Sequence, residues 1–295
     1  MSHPEPPQPA AAPRRFPWRR LLQYRLRSLL ILTTFIAIGF AWWSQRVWPQ
    51  QKAVAALEKT GALIGYDARL PGTGRMDAPP QWPKWILNLA AVDFFASVRA
   101  IDLSSRQDAA DVLKYLQRLT KLHELRLSYT RTPDASLVHL QGLETLEFLD
   151  LSGTLVTDAG LESLNALTAL KQLKLRDTQI SSSGLQHLRG LTALQRLELA
   201  NTKVSDAEIE HLTRLTSLQT LVLQGTRVTD AGLEHFQNLS ALQWLDLRYT
   251  QVTDAGLKHL HRLSALRTLW LDGTRVTEAA IVELKQSLPN CKVDH

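Results

Sequence analysis

Apolar positions in the C-terminal two thirds of this chain follow a rule that changes period within each unit. The pattern LxxLxLxxTxVTDAGLxxLxxLxx is written seven times, starting at Leu122, Leu146, Leu170, Leu194, Leu218, Leu242 and Leu266, with 24 residues between starts and no insertion or deletion. In the copy from Leu218 to Leu239, Leu221-Val222-Leu223 alternates with period two, which predicts a short strand with its leucines inward. Leu233, Phe236 and Leu239 then take helical spacing. Between them, Thr229 is placed to N-cap the helix and Asp230 to sit in its first turn, where a carboxylate favours the helix dipole. Ser205 and Glu208 have the spacing of a capping box. Each copy is a strand, a turn and a helix that buries its leucines only against its neighbours. The pattern therefore predicts a solenoid with a parallel sheet on its concave face and helices on its convex face.

The ends of the array are degenerate, as terminal repeats are. A weak copy begins at Val98, with Ile101 and Leu103 where Leu125 and Leu127 stand one unit later, and Arg106 in place of the template threonine. At the other end Ser287 breaks the leucine spacing and Pro289 stops the helix. Cys291-Lys292-Val293 then reads as a last edge strand, with Val293 in the position of Leu269. The threonine column is complete at 130, 154, 178, 202, 226, 250 and 274. A hydroxyl at a stacked corner can donate to a carbonyl and accept from an amide, so the column reads as a structural ladder.

Charge separates the N-terminal arm from the rest. The whole chain carries +6, and residues 1–48 hold seven arginines and one acid, which leaves the remainder neutral. A neutral solenoid has no basic stripe for phosphates, so no nucleic acid is expected as a partner. Residues 1–27 read as a disordered basic arm. From Ser28 to Gln45 there is no charged residue. As a helix this stretch spans about 27 Å, close to the hydrocarbon thickness of a bilayer. Trp42, Trp43 and Trp48 suit an interfacial belt, and the preceding arginines place the N-terminus in the cytoplasm. Residues 28–48 are thus expected to be a transmembrane signal anchor that contacts the lipid bilayer. The alternatives are a cleaved signal peptide and a buried core helix.

Residues 49–97 read as a juxtamembrane stalk and N-terminal cap. They hold a helix from Pro49 to Lys59, a strand at Leu63 to Tyr66, a Pro/Gly-rich linker from Leu70 to Pro83, and an apolar cluster from Trp82 to Phe95 that covers the open end of the array. Residues 98–295 form the solenoid. Cys291 is the only cysteine, so no intramolecular disulfide can form.

A fixed period turns the outward strand positions into a grid. The central column runs Arg126, Asp150, Lys174, Glu198, Val222, Asp246, Trp270. Its first four members predict cross-strand charge pairing. Further along, apolar and aromatic groups appear on a face the fold does not require to be apolar. Phe148, Val222, Trp244, Asp246, Arg248, Tyr249, Trp270 and Asp272 are the candidate partner-binding residues, because Trp, Tyr and Arg anchor interfaces. The bland alternative is tryptophans lying over neighbouring side chains. A histidine column at 139, 187, 211, 235 and 259 fits a repeat-boundary residue better than a metal site, since parallel helices hold equivalent positions too far apart for one ion. No phosphate-binding loop, zinc spacing or nucleophile elbow is present, and no catalytic residue, cofactor or metal is expected.

The TxVTDAGL repeats, together with Leu26-Arg27-Ser28-Leu29-Leu30, the stretch from Ala56-Leu57-Glu58-Lys59 to Gly65-Tyr66-Asp67, and Asp93-Phe94-Phe95, resemble membrane-anchored bacterial leucine-rich repeat proteins. The resemblance implies an α/β fold, a right-handed leucine-rich repeat solenoid preceded by one transmembrane helix. It implies a single-pass protein of the inner (cytoplasmic) membrane with the solenoid outside the cytoplasm, and says little about activity. The expected function is non-enzymatic recognition or scaffolding of a protein partner on the concave face. One alternative is a structural envelope protein that binds wall polysaccharide or self-associates. The other is a substrate receptor like the F-box leucine-rich repeat proteins, disfavoured because no F-box precedes the repeats.

Overall fold

The computed structural model describes residues 33–34, 37–38, 48–59, 61–66 and 98–295. The expected arm (1–27), most of the expected anchor (28–48), the proline-rich linker and the apolar cap cluster lie outside the described residues. Thr33, Thr34, Ala37 and Ile38 are helical. Among the described residues, no helix is long and apolar enough to cross a membrane.

Among these residues a single sheet runs in strict chain order: β1 (Leu63–Tyr66), β2 (Val98–Asp102), β3 (Glu124–Arg126), β4 (Phe148–Asp150), β5 (Gln172–Lys174), β6 (Arg196–Glu198), β7 (Thr220–Val222), β8 (Trp244–Asp246), β9 (Thr268–Trp270) and β10 (Lys292–Asp294). From β2 to β10 all pairings are parallel with a 24-residue register, as Leu197 opposite Leu221 and Val222 opposite Asp246 show. The degenerate ends keep that register: Ile101 stands opposite Leu125, and Val293 opposite Leu269. β1 pairs antiparallel with β2, and the helix Trp48–Lys59 before it buries Ala53 and Leu57.

Away from the sheet, the expected helices are mostly a single α turn that tightens into a 3₁₀ helix, as in Asp230–Leu233 followed by Glu234–Asn238. A 24-residue coil that spends its residues on a strand and two corners leaves too few for regular α-helix. Only the ends escape, with Ala109–Leu116 and Glu278–Ser287. Leu218, Leu221, Leu223, Val228, Leu233, Phe236 and Leu239 of one repeat are all fully buried. At about 1.5–3 kcal/mol per large apolar side chain, this packing is the main stabilising term.

Polar columns lock the coils: the threonines donate to carbonyls and the aspartates stand in the first helical turn, both as expected, and the structure adds where the bonds between coils lie. Each threonine from Thr130 to Thr250 donates its hydroxyl to the carbonyl three residues before it, as Thr226 Oγ1 does to Leu223 O at 2.6 Å. The column closes turns within each repeat instead of forming a ladder between repeats. In the last copy Thr274 Oγ1 is buried without a partner.

The ladder between repeats is made by the aspartates. Asp206 Oδ1 accepts from the amides of Thr229 (2.8 Å) and Gly232 (3.1 Å), and its Oδ2 from Thr229 Oγ1 (2.6 Å). Asp134, Asp158, Asp230 and Asp254 clasp Thr157, Ser181, Thr253 and Thr277 in the same way. The carboxylate thus reaches the next coil's first turn as well as standing in its own.

This clasp accounts for the glycine in Thr-Asp-Ala-Gly. A Cβ on Gly232 would lie 2.5 Å from Asp206 Oδ1, and Gly160, Gly184 and Gly256 meet Asp134, Asp158 and Asp230 equally closely. Where Glu208 replaces the glycine, the preceding aspartate is replaced by Ser182, whose Oγ accepts the Ser205 amide at 2.9 Å. Glu208 there takes a left-handed conformation (φ 59°) and makes no cap bond, so the Ser205–Glu208 capping box does not form. Thr229 does cap, accepting from the Ala231 amide.

Replacing Asp206 by alanine removes three bonds from one junction and should cost about 2–3 kcal/mol in urea unfolding followed by circular dichroism. Gly232→Ala should destabilise by about 1–3 kcal/mol in the native background and much less beside Asp206→Ser, because the clash is with the carboxylate. Cys291 is buried, and desolvation pushes its thiol up to about 11. At pH 8 the native protein should resist iodoacetamide, with full labelling appearing only in denaturant; fast native labelling would contradict the burial.

Candidate functional site

Outward residues on β6 to β9, with Arg176, Gln224 and Arg248 just beyond strand ends, surround a groove of about 400 Å³ on the sheet face. Five of the eight sequence-predicted residues line it: Val222, Trp244, Asp246, Arg248 and Trp270. The parallel register sets the arrangement. Trp244 stands opposite Thr220, and Asp246 lies between Val222 and Trp270. Neighbouring strands are about 4.8 Å apart, so these side chains form one continuous surface.

Two acid–arginine pairs form the polar part of this surface. Asp246 is 3% exposed and accepts from Arg248 Nε at 2.9 Å and from a terminal nitrogen at 2.7 Å, a two-pronged contact. Asp246 Oδ1 also accepts the Arg248 amide at 3.1 Å. Asp102 and Asp150 make the same local turn bond to Ser104 and Ser152, so that part of Asp246's role belongs to the fold. The same position holds Arg176 three repeats earlier, but the two-pronged contact with an acid two residues before it is made by Arg248. Its guanidinium lies 5.9 Å from the centre of the Trp270 ring, a cation–π distance. The hydrogen bond to Asp246 is the main cause raising the Arg248 pKa. Burial opposes it, and Asp246, Asp272 and Tyr249 add to it electrostatically.

The second pair was not singled out in the sequence. Glu198 is 6% exposed and accepts from Arg196 Nε at 2.7 Å, with Lys174 Nζ 3.6 Å away. Arg176, Thr220 and Gln224 complete the lining. All of these stand in the outward grid. The available signal was the alternation of Arg196 and Glu198 along one strand, which mirrors Asp246 and Arg248.

The other three candidates lie elsewhere. Phe148, on β4, sits between two cations: Arg126 is 5.3 Å and Lys174 5.7 Å from its ring centre. This also corrects the expected charge ladder. Arg126 pairs with Glu124 on its own strand and reaches Asp102 opposite it on β2 only at 3.9 Å, and Asp150 accepts from its own turn, so of the four expected members Lys174 and Glu198 alone pair with each other across strands. Tyr249 is exposed, but its ring covers Gly273, where a Cβ would lie 2.5 Å from Cδ1.

Tyr249 belongs to a column that needs a left-handed backbone in each repeat: Ser105, Tyr129, Gly153, Asp177, Asn201, Gly225, Tyr249 and Gly273. Tyr129 covers Gly153 in the same manner. Tyr249 is therefore a packing residue of the corner and not part of the groove. Asp272 acts on Arg248 only through its charge, and its carbonyl accepts the Tyr249 amide at 2.9 Å. Among the described residues, no group of three His, Cys, Asp or Glu side chains converges to hold a metal ion.

With this geometry in view, the chain can be set beside known proteins. Residues 216–276 and 142–164 match two family models, both described as leucine rich repeat. No curated protein matches the chain. Among solved structures, internalin C2 of Listeria monocytogenes is similar at 25% identity and a TM-score of 0.55, covering 69% of this chain and 82% of its own. An internalin (inlF) of the same organism gives 20% identity and a TM-score of 0.37, over 61% and 69%. The fold is that of a leucine-rich repeat solenoid.

Because Asp246 is nearly enclosed and depends on one guanidinium, Arg248→Ala should cost about 2–3 kcal/mol in chemical unfolding. Arg196→Ala should cost less than half of that, since Glu198 keeps Lys174. Equal losses would contradict this account of the two pairs.

Proposed function

We propose that this chain is a non-enzymatic recognition protein, tethered to a membrane by residues 28–48, that binds a protein partner in the groove between Trp244 and Glu198. The observation that carries the reading is the groove itself. A solenoid sheet face needs only soluble side chains, yet here Val222, Trp244 and Trp270 lie beside two acid–arginine pairs whose acids are enclosed. Aromatic and arginine side chains in a partly desolvated hollow are the usual anchors of a protein interface. The invariant 24-residue period speaks against an enzyme, because catalytic residues usually sit on loops of unequal length.

The tether rests on the uncharged stretch from Ser28 to Gln45 with its arginines on one side. That asymmetry supports an arm in the cytoplasm and a solenoid outside it, and the resemblance to membrane-anchored bacterial leucine-rich repeat proteins supports the inner membrane as its location.

Two measurements test this reading. A photo-cross-linking residue at Gln224, in living cells, should yield a protein adduct that falls severalfold in Trp244→Ala/Trp270→Ala, whereas the same probe at Glu234 on the opposite face should yield none. An adduct with glycan alone, or one unchanged by the double substitution, would overturn the partner assignment. An alkaline phosphatase fused after His295 should be active, since that enzyme matures only outside the cytoplasm. An inactive, intact fusion would overturn the orientation.

A further inference from the structure

The groove's charged groups are unequally spent, and this bears on what it can hold. Its carboxylates are mostly occupied: both Asp246 oxygens take Arg248, one Glu198 oxygen takes Arg196, and the two acids are 3% and 6% exposed. Thr220 and Gln224 can accept as well as donate. Its guanidinium donors are more open. Arg196 gives Glu198 only its Nε, which leaves both terminal amino groups, and its side chain is 44% exposed. Arg248 keeps one terminal amino group and is 36% exposed. Arg176 reaches Asp177 only at 4.0 Å. The indoles of Trp244 and Trp270 can only donate. The open guanidinium donors therefore favour a ligand that brings charged acceptors.

The register fixes where the acceptors should sit. Arg196 opens β6, Val222 ends β7, and Arg248 lies two residues beyond β8. In the grid these three stand on one diagonal, with Val222 midway. Four residues of strand rise and two strand spacings separate the arginines by roughly 16 Å at the backbone. In an extended peptide, residues i, i+2 and i+4 point to the same side and span roughly 13 Å. The reach of a glutamate side chain makes up the difference.

We infer that the groove recognises an extended acidic segment of a protein, with carboxylates at i and i+4 on Arg196 and Arg248 and an apolar side chain at i+2 over Val222, beside the two tryptophans. This rests on the recognition reading above and specifies its partner. A peptide fits better than a phosphate polymer. The lining residues carry three arginines against two acids, a net +1, and the chain beyond residue 48 is neutral. Neither supplies the run of cations that a phosphate backbone needs. An apolar centre between the cations has no counterpart on such a polymer.

The test uses the full chain in detergent micelles and fluorescence anisotropy of a labelled peptide, glutamate–threonine–leucine–threonine–glutamate. The expected result is binding at least about tenfold tighter than to the peptide with glutamine for glutamate, and than to the peptide with serine for leucine. Arg196→Gln should abolish the preference for glutamate over glutamine, and Val222→Ser the preference for leucine. Lys258→Gln, outside the groove, should change neither, and unfolding curves should show that all three variants are folded. Equal binding of all three peptides, no binding near millimolar peptide, or heparin binding that is indifferent to Val222→Ser would each overturn the inference. The Gln224 cross-link separates this from the broader reading. A protein adduct that survives Arg196→Gln while the peptides fail would leave recognition standing and remove the acidic segment.

Discussion

The structure depends on stacking each coil on the next in a single register, and the aspartate clasp makes that register specific. Leucines alone would bury nearly as well after a small slip, because an apolar layer is tolerant of which leucine meets which. A carboxylate that must satisfy the next coil's threonine amide, its hydroxyl and, at Asp206, a further amide is not tolerant. The glycines follow from it, since the close approach leaves no room for a Cβ. The Ser182–Glu208 junction shows the constraint by its exception: the aspartate and the glycine are lost together, and the backbone at Glu208 turns left-handed.

Such a frame leaves the outward strand positions free to vary, and this is where the chain differs along its length. On β3 to β5 the variation yields a self-contained surface in which Phe148 is flanked by Arg126 and Lys174. On β6 to β9 it yields a groove whose acids are enclosed and whose arginines remain partly open. The two halves have similar residue types. They differ in whether each cation finds a partner that leaves part of it unspent.

Much of the fold was legible in the residues. The 24-residue period gave the strand register from Ile101 to Val293, and the change from period two to helical spacing placed strand and return path in each coil. Five of the eight candidate residues fell in one groove, because columns in a parallel sheet are neighbours by construction. The misses share a cause. Asp230 stands in the first turn of its helix as expected, but its bonds to Thr253 gave no signal because that partner is 23 positions away and lies in another coil. That Tyr249 covers Gly273 was not legible because a glycine gives no signal of contact. The pairing of Glu198 with Arg196 along its own strand was missed because charged residues on an open sheet ordinarily mean solubility and cross-strand pairing.

By itself the sequence determined the architecture, the register and the face on which each side chain stands, since a fixed 24-residue period brings the leucines and the aspartate–threonine clasps into line in the same register. The tertiary structure alone decided which partner each outward charge takes. An arginine on a strand can reach the acid two residues along, the acid on the next strand, or an aromatic ring, and these differ by less than about 1 kcal/mol in isolation. Enclosure settles the choice. Asp246 and Glu198 are buried deeply enough that each must hold its own arginine, and that requirement makes the groove what it is.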